Sequence, residues 1–137
     1  MKTRARITLL VAAAMTVTLL FSCSLAPVSI KDRINDFFDS LNTSDRSDTH
    51  KNLDPDTAAY STADNTFWEG AFPVGERPFS YSGLDTSDES NVTMNISNNS
   101  ISLGPYHFVM VDIGSPAENW VINDIRQPTN APADSIF

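Results

Sequence analysis

The spacing of apolar side chains changes once along this chain, near Glu76, and that change limits the folds open to it. Upstream, Ile30, Ile34, Phe37, Phe38 and Leu41 recur at steps of four and three, which is one face of a helix. Downstream, Val92, Met94 and Ile96 alternate with Thr93 and Asn95, the period of a half-buried strand. Helices first and strands afterwards is an α+β plan: N-terminal helices packed on one face of a curved antiparallel sheet of about four strands.

Local signals place the elements. Ser29 caps the first helix and Asp32 reaches back to it as a capping box, with Lys31, Asp32, Arg33, Asp36 and Asp39 on the wet side and the end near Asn42 or Thr43. Residues 43–52 are polar and read as a surface loop. Asp54 followed by Pro55 predicts a short second helix, capped by the aspartate with proline in its first turn. Residues 64–70 predict one more helical turn, whose Phe67 and Trp68 join Phe72 in the core before Pro73 and Gly75 stop it.

Four strands follow. Phe79, Tyr81 and Gly83 share one face of the first, and Val92, Met94 and Ile96 one face of the second. A third begins at Ile101, is interrupted by Gly104-Pro105, and continues from Tyr106 to Ile113 with Phe108 and Met110 opposite His107, Val109 and Val111. The last, Trp120 to Ile125, sets Trp120, Ile122 and Asp124 on one face. The tail from Gln127, with Pro128 and Pro132, reads as irregular.

The start of the chain has the layout of an export signal: Lys2, Arg4 and Arg6, then an apolar run from Ile7 to Phe21 that is shorter than the ~20 residues a comfortable membrane span needs. Leu20-Phe21-Ser22-Cys23 closes it and resembles the lipobox of bacterial lipoproteins, with Phe21 standing where that family usually has a small or β-branched residue. The resemblance implies a diacylglyceryl group on the Cys23 thiol, palmitate-type acyl chains and cleavage before Cys23; the alternative is an ordinary secretory signal with Cys23 left over. Cys23 is the only cysteine, so no internal disulfide can form, and lipid on the sulfur would silence a thiol otherwise free to couple copies. The layout expected is therefore a signal peptide at 1–22, a lipidated tether at 23–28, one domain at 29–127 and a tail at 128–137. The place is the cell envelope, on the outside of the cytoplasmic membrane or in an outer membrane. Ser24, where some lipoproteins carry an inner-membrane-retaining aspartate, leans to the latter.

Nine Lys and Arg face seventeen Asp and Glu; the three bases in residues 1–22 leave with the leader, so six remain and the formal net charge becomes −11. Such a chain is repelled by nucleic acid and by anionic lipid. No cofactor motif occurs, since five scattered glycines build neither a phosphate cradle nor a dinucleotide fingerprint. Asp45, Asp48 and His50, and separately Asp85, Asp88 and Glu89, supply carboxylates and an imidazole at short spacing but lack the glycine and regular ligand alternation of a calcium loop, so no metal is expected. The Asn-x-Ser/Thr triplets opening at Asn42, Asn91, Asn95 and Asn98 follow from an Asn- and Ser-rich chain.

Beyond residue 28 the chain resembles the nuclear transport factor 2-like, cystatin-like cone, on the opening helix Ile34–Asn42, the acidic Leu53-Asp54-Pro55 and the closing strand Asn119–Ile125. That resemblance implies helices wrapped by a curved sheet around a pocket that is catalytic in some members, a ligand or partner site in others and plain core in many. The catalytic candidate is His107, acting as a base if it faces the pocket, with Asp124 as cross-strand acid because Asp112 alternates to the other side. The leading expectation is a non-catalytic module that binds an envelope protein or a small ligand while held on membrane lipid through Cys23. A hydrolase or isomerase-like enzyme using His107 is the alternative, and a self-associating structural envelope protein, a homodimer, is the third.

Overall fold

A computed structural model describes residues 26–99, 101–114, 117–127 and 135–136. Among them are helices α1 (Ile30–Leu41), α2 (Ala58–Thr62) and α3 (Asn65–Ala71), single 3₁₀ turns at Thr49–Asn52 and Val74–Glu76, and strands β1 (Phe79–Asp85), β2 (Asn91–Asn98), β3 (Ile101–Asp112) and β4 (Trp120–Arg126). The strands form one open antiparallel meander in the order β1-β2-β3-β4. The α+β plan holds, with the helices ahead of the sheet. Cys23 and its lipobox lie outside the described residues, as does most of the tail.

α1 forms for the reasons its sequence carries. The Ser29 hydroxyl accepts from the Asp32 amide at 3.2 Å, and the Asp32 carboxylate accepts from the Ser29 amide at 3.4 Å. Ile30, Ile34, Phe37, Phe38 and Leu41 are buried on one face. They meet the inward side of the sheet, where Phe79, Val92, Met94, Ile96, Tyr106, Phe108, Met110, Ile122 and Ile125 are buried. Phe37 sits at the centre, with edge-on ring contacts to Phe38, Trp68, Phe72 and Phe108 at centroid separations of 5.5 to 6.2 Å. Each such pair adds about 0.5–1.5 kcal/mol beyond the area it buries. The space between α1 and the sheet is therefore filled with side chains.

Four expectations need correcting. Residues 43–52 are not a plain surface loop: Arg46, Thr49 and Asn52 are buried, and the chain closes a 3₁₀ turn at Thr49–Asn52. The second helix does not begin at Pro55. Leu53 bridges Ile122 in β4, the Asp54 amide donates to the Ile122 carbonyl at 2.8 Å, and the buried Asp54 carboxylate takes an amide hydrogen of Asn123 at 2.9 Å. With that carboxylate committed to β4, residues 54–57 make a turn and helix starts only at Ala58.

Gly104-Pro105 does not interrupt β3. A register shift opposite Ile96 and Ser97 absorbs one residue, Gly104 takes φ +102°, and the ladder with β2 continues. β4 ends opposite His107, so at Pro105 β3 has a neighbour on one side only, which proline tolerates. A second shift between Val109 and Met110 turns β4 over: Ile122 pairs with Met110 and Ile125 with Phe108, both inward, while Asp124 pairs with Val109 on the outer face.

Candidate functional site

The outer face of the sheet carries Ser80 and Ser82 of β1, Asn91, Thr93, Asn95 and Ser97 of β2, and His107, Val109 and Val111 of β3. His107 is half-buried there, between Thr93 and Arg126 in the ladder, because its neighbours Tyr106 and Phe108 take the inward side. It does not face the core. Asp124 shares its face, but that carboxylate accepts from Arg126 Nε at 2.9 Å and from the Ser135 hydroxyl at 2.6 Å. Among the described residues no carboxylate bonds or pairs with His107.

The acidic loops are likewise self-contained. Asp45 accepts the Ser47 amide and Asp85 the Ser87 amide, both at 2.9 Å, and these bonds hold each carboxyl below its ordinary value. Asp88 accepts the Ser90 amide at 3.1 Å and its hydroxyl at 2.7 Å. Among the described residues no three of His, Cys, Asp and Glu stand together as a metal-binding group. His50 has its Nδ1 2.5 Å from the Ser47 carbonyl, and its ring meets Tyr60 edge-on. These two rings, with Ser61, Thr62 and Asp64, line an open cleft of about 590 Å³ on the helical side.

A feature that the composition hid is the use of arginine. Arg46, 2% exposed, runs under α3 and donates through Nη1 to the carbonyls of Trp68, at 3.2 Å, and Phe72; its Nε and Nη2 have no partner. Arg77 donates to the carbonyls of Asn42 at 3.0 Å and Thr43 at 2.7 Å, at the end of α1. Arg33, read as solvent-facing, instead reaches the Trp120 carbonyl at 2.7 Å and the Asn119 side chain at 2.9 Å. Helix ends leave carbonyls without intrahelical donors; Arg77 serves those past the end of α1 and Arg46 that of Phe72 past the end of α3. With Arg33, half of the six bases beyond residue 22 are spent on internal oxygens. Of the other three, Lys51 pairs with Asp48 and Arg126 with Asp124. The exterior is left acidic.

The two sheet edges differ. β4 is covered: Val28 bridges Asn119, Leu53 bridges Ile122 and Ser135 bridges Arg126, with the Ile136 amide on the Ile125 carbonyl at 2.8 Å. Among the described residues β1 is covered only at Phe79, where the Asn42 side chain does a strand's work, accepting from the Phe79 amide and donating to its carbonyl, each at 2.8 Å. Because Pro78 pairs inward with Asn99, Phe79 and Tyr81 turn their backbone groups outward. At Tyr81 no described residue receives them. The tyrosine side chain instead points inward against Phe38, with its hydroxyl donating to Asn35 at 2.6 Å.

No helix among the described residues is long and apolar enough to cross a membrane. Comparison with protein-family models, with curated proteins and with solved structures finds no match to this chain.

Proposed function

We propose that the chain is a lipid-anchored extracytoplasmic module that works by binding another protein rather than by catalysis. The observation that carries this reading is how near Cys23 in sequence the described fold is fixed. Val28, five positions beyond Cys23, is already locked between Glu118 and Trp120, with its amide on the Glu118 carbonyl at 2.8 Å and its carbonyl on the Trp120 amide at 3.1 Å. A fully extended link of that length reaches about 17 Å. Lipid on Cys23 would then hold the domain against the bilayer by its β3–β4 turn, which suits a leader that ends in a lipobox.

Two further features favour a protein partner. The space between α1 and the sheet is filled by Phe37 and its neighbours, which disfavours a small ligand seated there. The acidic exterior and the partly open β1 edge are surfaces that another chain can read. His107, set among Thr93, Val109 and Arg126, supports no acid–base pair, so the enzymatic reading gains nothing from its position.

Mass spectrometry of the chain purified from bacterial membranes tests the anchor. The expected N-terminal peptide begins at Cys23 and carries a diacylglyceryl mass, and Cys23→Ser moves the protein out of the membrane fraction. An intact leader, or a processed chain with no acyl mass, overturns it.

A further inference from the structure

We propose that the open part of the β1 edge, from Tyr81 to Asp85, receives an extended basic segment of a partner protein as a fifth strand. This inference deepens the protein-binding reading and is independent of the lipid anchor.

The argument begins with the contrast between the edges. An exposed edge strand is a template for further pairing, and proteins usually cover it or break it. Here β4 is closed at three places along its length, whereas among the described residues β1 is closed only at Phe79. The Asn42 amide mimics a neighbouring backbone at that position, and so marks both the geometry an added strand would have and the point where it must stop. Beyond it, the Tyr81 amide and carbonyl have no partner among the described residues, and Ser82 and Gly83 are exposed. The register shift between Ser82 and Asp85, with Gly83 at φ +63°, bends the strand, so the added segment is short.

Charge selects the occupant. Asp39 on α1 lies close enough to Tyr81 to act on its phenol, and the far end of the edge runs into Asp85, Asp88 and Glu89, all exposed. A second copy of this acidic chain would bring like charges together along the joint, whereas a segment alternating small apolar and basic residues places its bases against these acids. Main-chain bonds at Tyr81 give the strand its direction; the acids choose its sequence.

The probe is a synthetic hexapeptide, Lys-Val-Lys-Val-Lys-Val, titrated into the full chain in detergent at low salt. The expected result is saturable binding with slowed hydrogen exchange at the Tyr81 amide and none at β4. Methylating alternate backbone nitrogens of the peptide, which keeps its charge, should abolish binding. Asp85→Asn, Asp88→Asn and Glu89→Gln together should weaken it about tenfold, the scale of three exposed ion pairs. The asparagines keep the turn bonds to Ser87 and Ser90, so the variant folds. Equal binding of the methylated peptide, an unprotected Tyr81 amide, or no binding at all overturns the proposal. A dimer with Tyr81 protected before any peptide is added overturns it in favour of a second copy. The outcome is the same whether or not Cys23 carries lipid.

Discussion

Asn42 and Arg46 show how much of this molecule depends on single polar side chains supplying backbone groups with partners. Replacing Asn42 with alanine leaves the amide and carbonyl of Phe79 without partners beside a buried ring, and is expected to cost about 1–2 kcal/mol in urea unfolding. Asn42→Asp should cost at least as much, because its carboxylate would face the Phe79 carbonyl with no hydrogen to give. Arg46 is a different case. Its Nη1 serves the Trp68 and Phe72 carbonyls, but Nε and Nη2 are buried without partners, and burial pulls the guanidinium below its ordinary value. Arg46→Met removes those two unpaired donors while leaving the Phe72 carbonyl open, so the terms oppose and stability should change by no more than about 1 kcal/mol. Arg46→Ala, which also opens a cavity under α3, should cost about 2–4 kcal/mol in the same measurement. Neither role was readable beforehand. Asn42 looks like a helix end followed by a sequon, and Arg46 sits in a stretch whose composition says solvent; their partners lie more than twenty residues away.

At the scale of elements, what could be read was what is local. α1 carries its own start in Ser29 and Asp32 and its own buried face in the spacing of five apolar residues, so its bounds follow from the sequence alone. The buried alternation of β2 is equally plain. Where the reading failed, a distant partner overruled a local signal. Gly104-Pro105 spells a break, yet β2 lies alongside and a single shifted residue keeps the ladder intact. Asp54-Pro55 spells a helix start, yet β4 takes the aspartate. The face assigned to Asp124 failed because a bulge is invisible to strict alternation. Gly114 offers a test of one such long-range arrangement, the β3–β4 turn. A Cβ there would stand 1.9 Å from the Ala117 carbonyl oxygen and 2.5 Å from the Asn119 nitrogen, both main-chain atoms that cannot step aside. Gly114→Ala should therefore destabilise the protein by more than about 1 kcal/mol. It should also speed hydrogen exchange at the Ile113 amide, which bonds across that turn to the Asn119 carbonyl, and at the Val28 and Trp120 amides, which tie residue 28 to its far arm.

For the whole molecule the dominant fact is the excess of acids over bases on the outside. Mutual repulsion among exposed acids opposes compactness, so the melting temperature at neutral pH should rise as salt is added. Acid acts through particular groups. Asp45, Asp85 and Asp112 are held below their ordinary values by amides of their own turns, Asp112 by Asn119 at 2.8 Å and Gly114 at 2.9 Å. A carboxyl depressed in the folded state contributes stability that is complete above its unfolded value and fades as pH falls through the folded one. Thermal melts should accordingly show an acid limb below the normal carboxylate range, and Asp112→Asn should flatten it. The lock on Val28 has a consequence at this same scale. Were Cys23 to carry lipid as proposed, so short a leash would let the body swivel on the bilayer but not wander from it, so a partner in the same leaflet would be sought across a plane rather than through a volume, and an affinity too weak to matter in free solution would become sufficient.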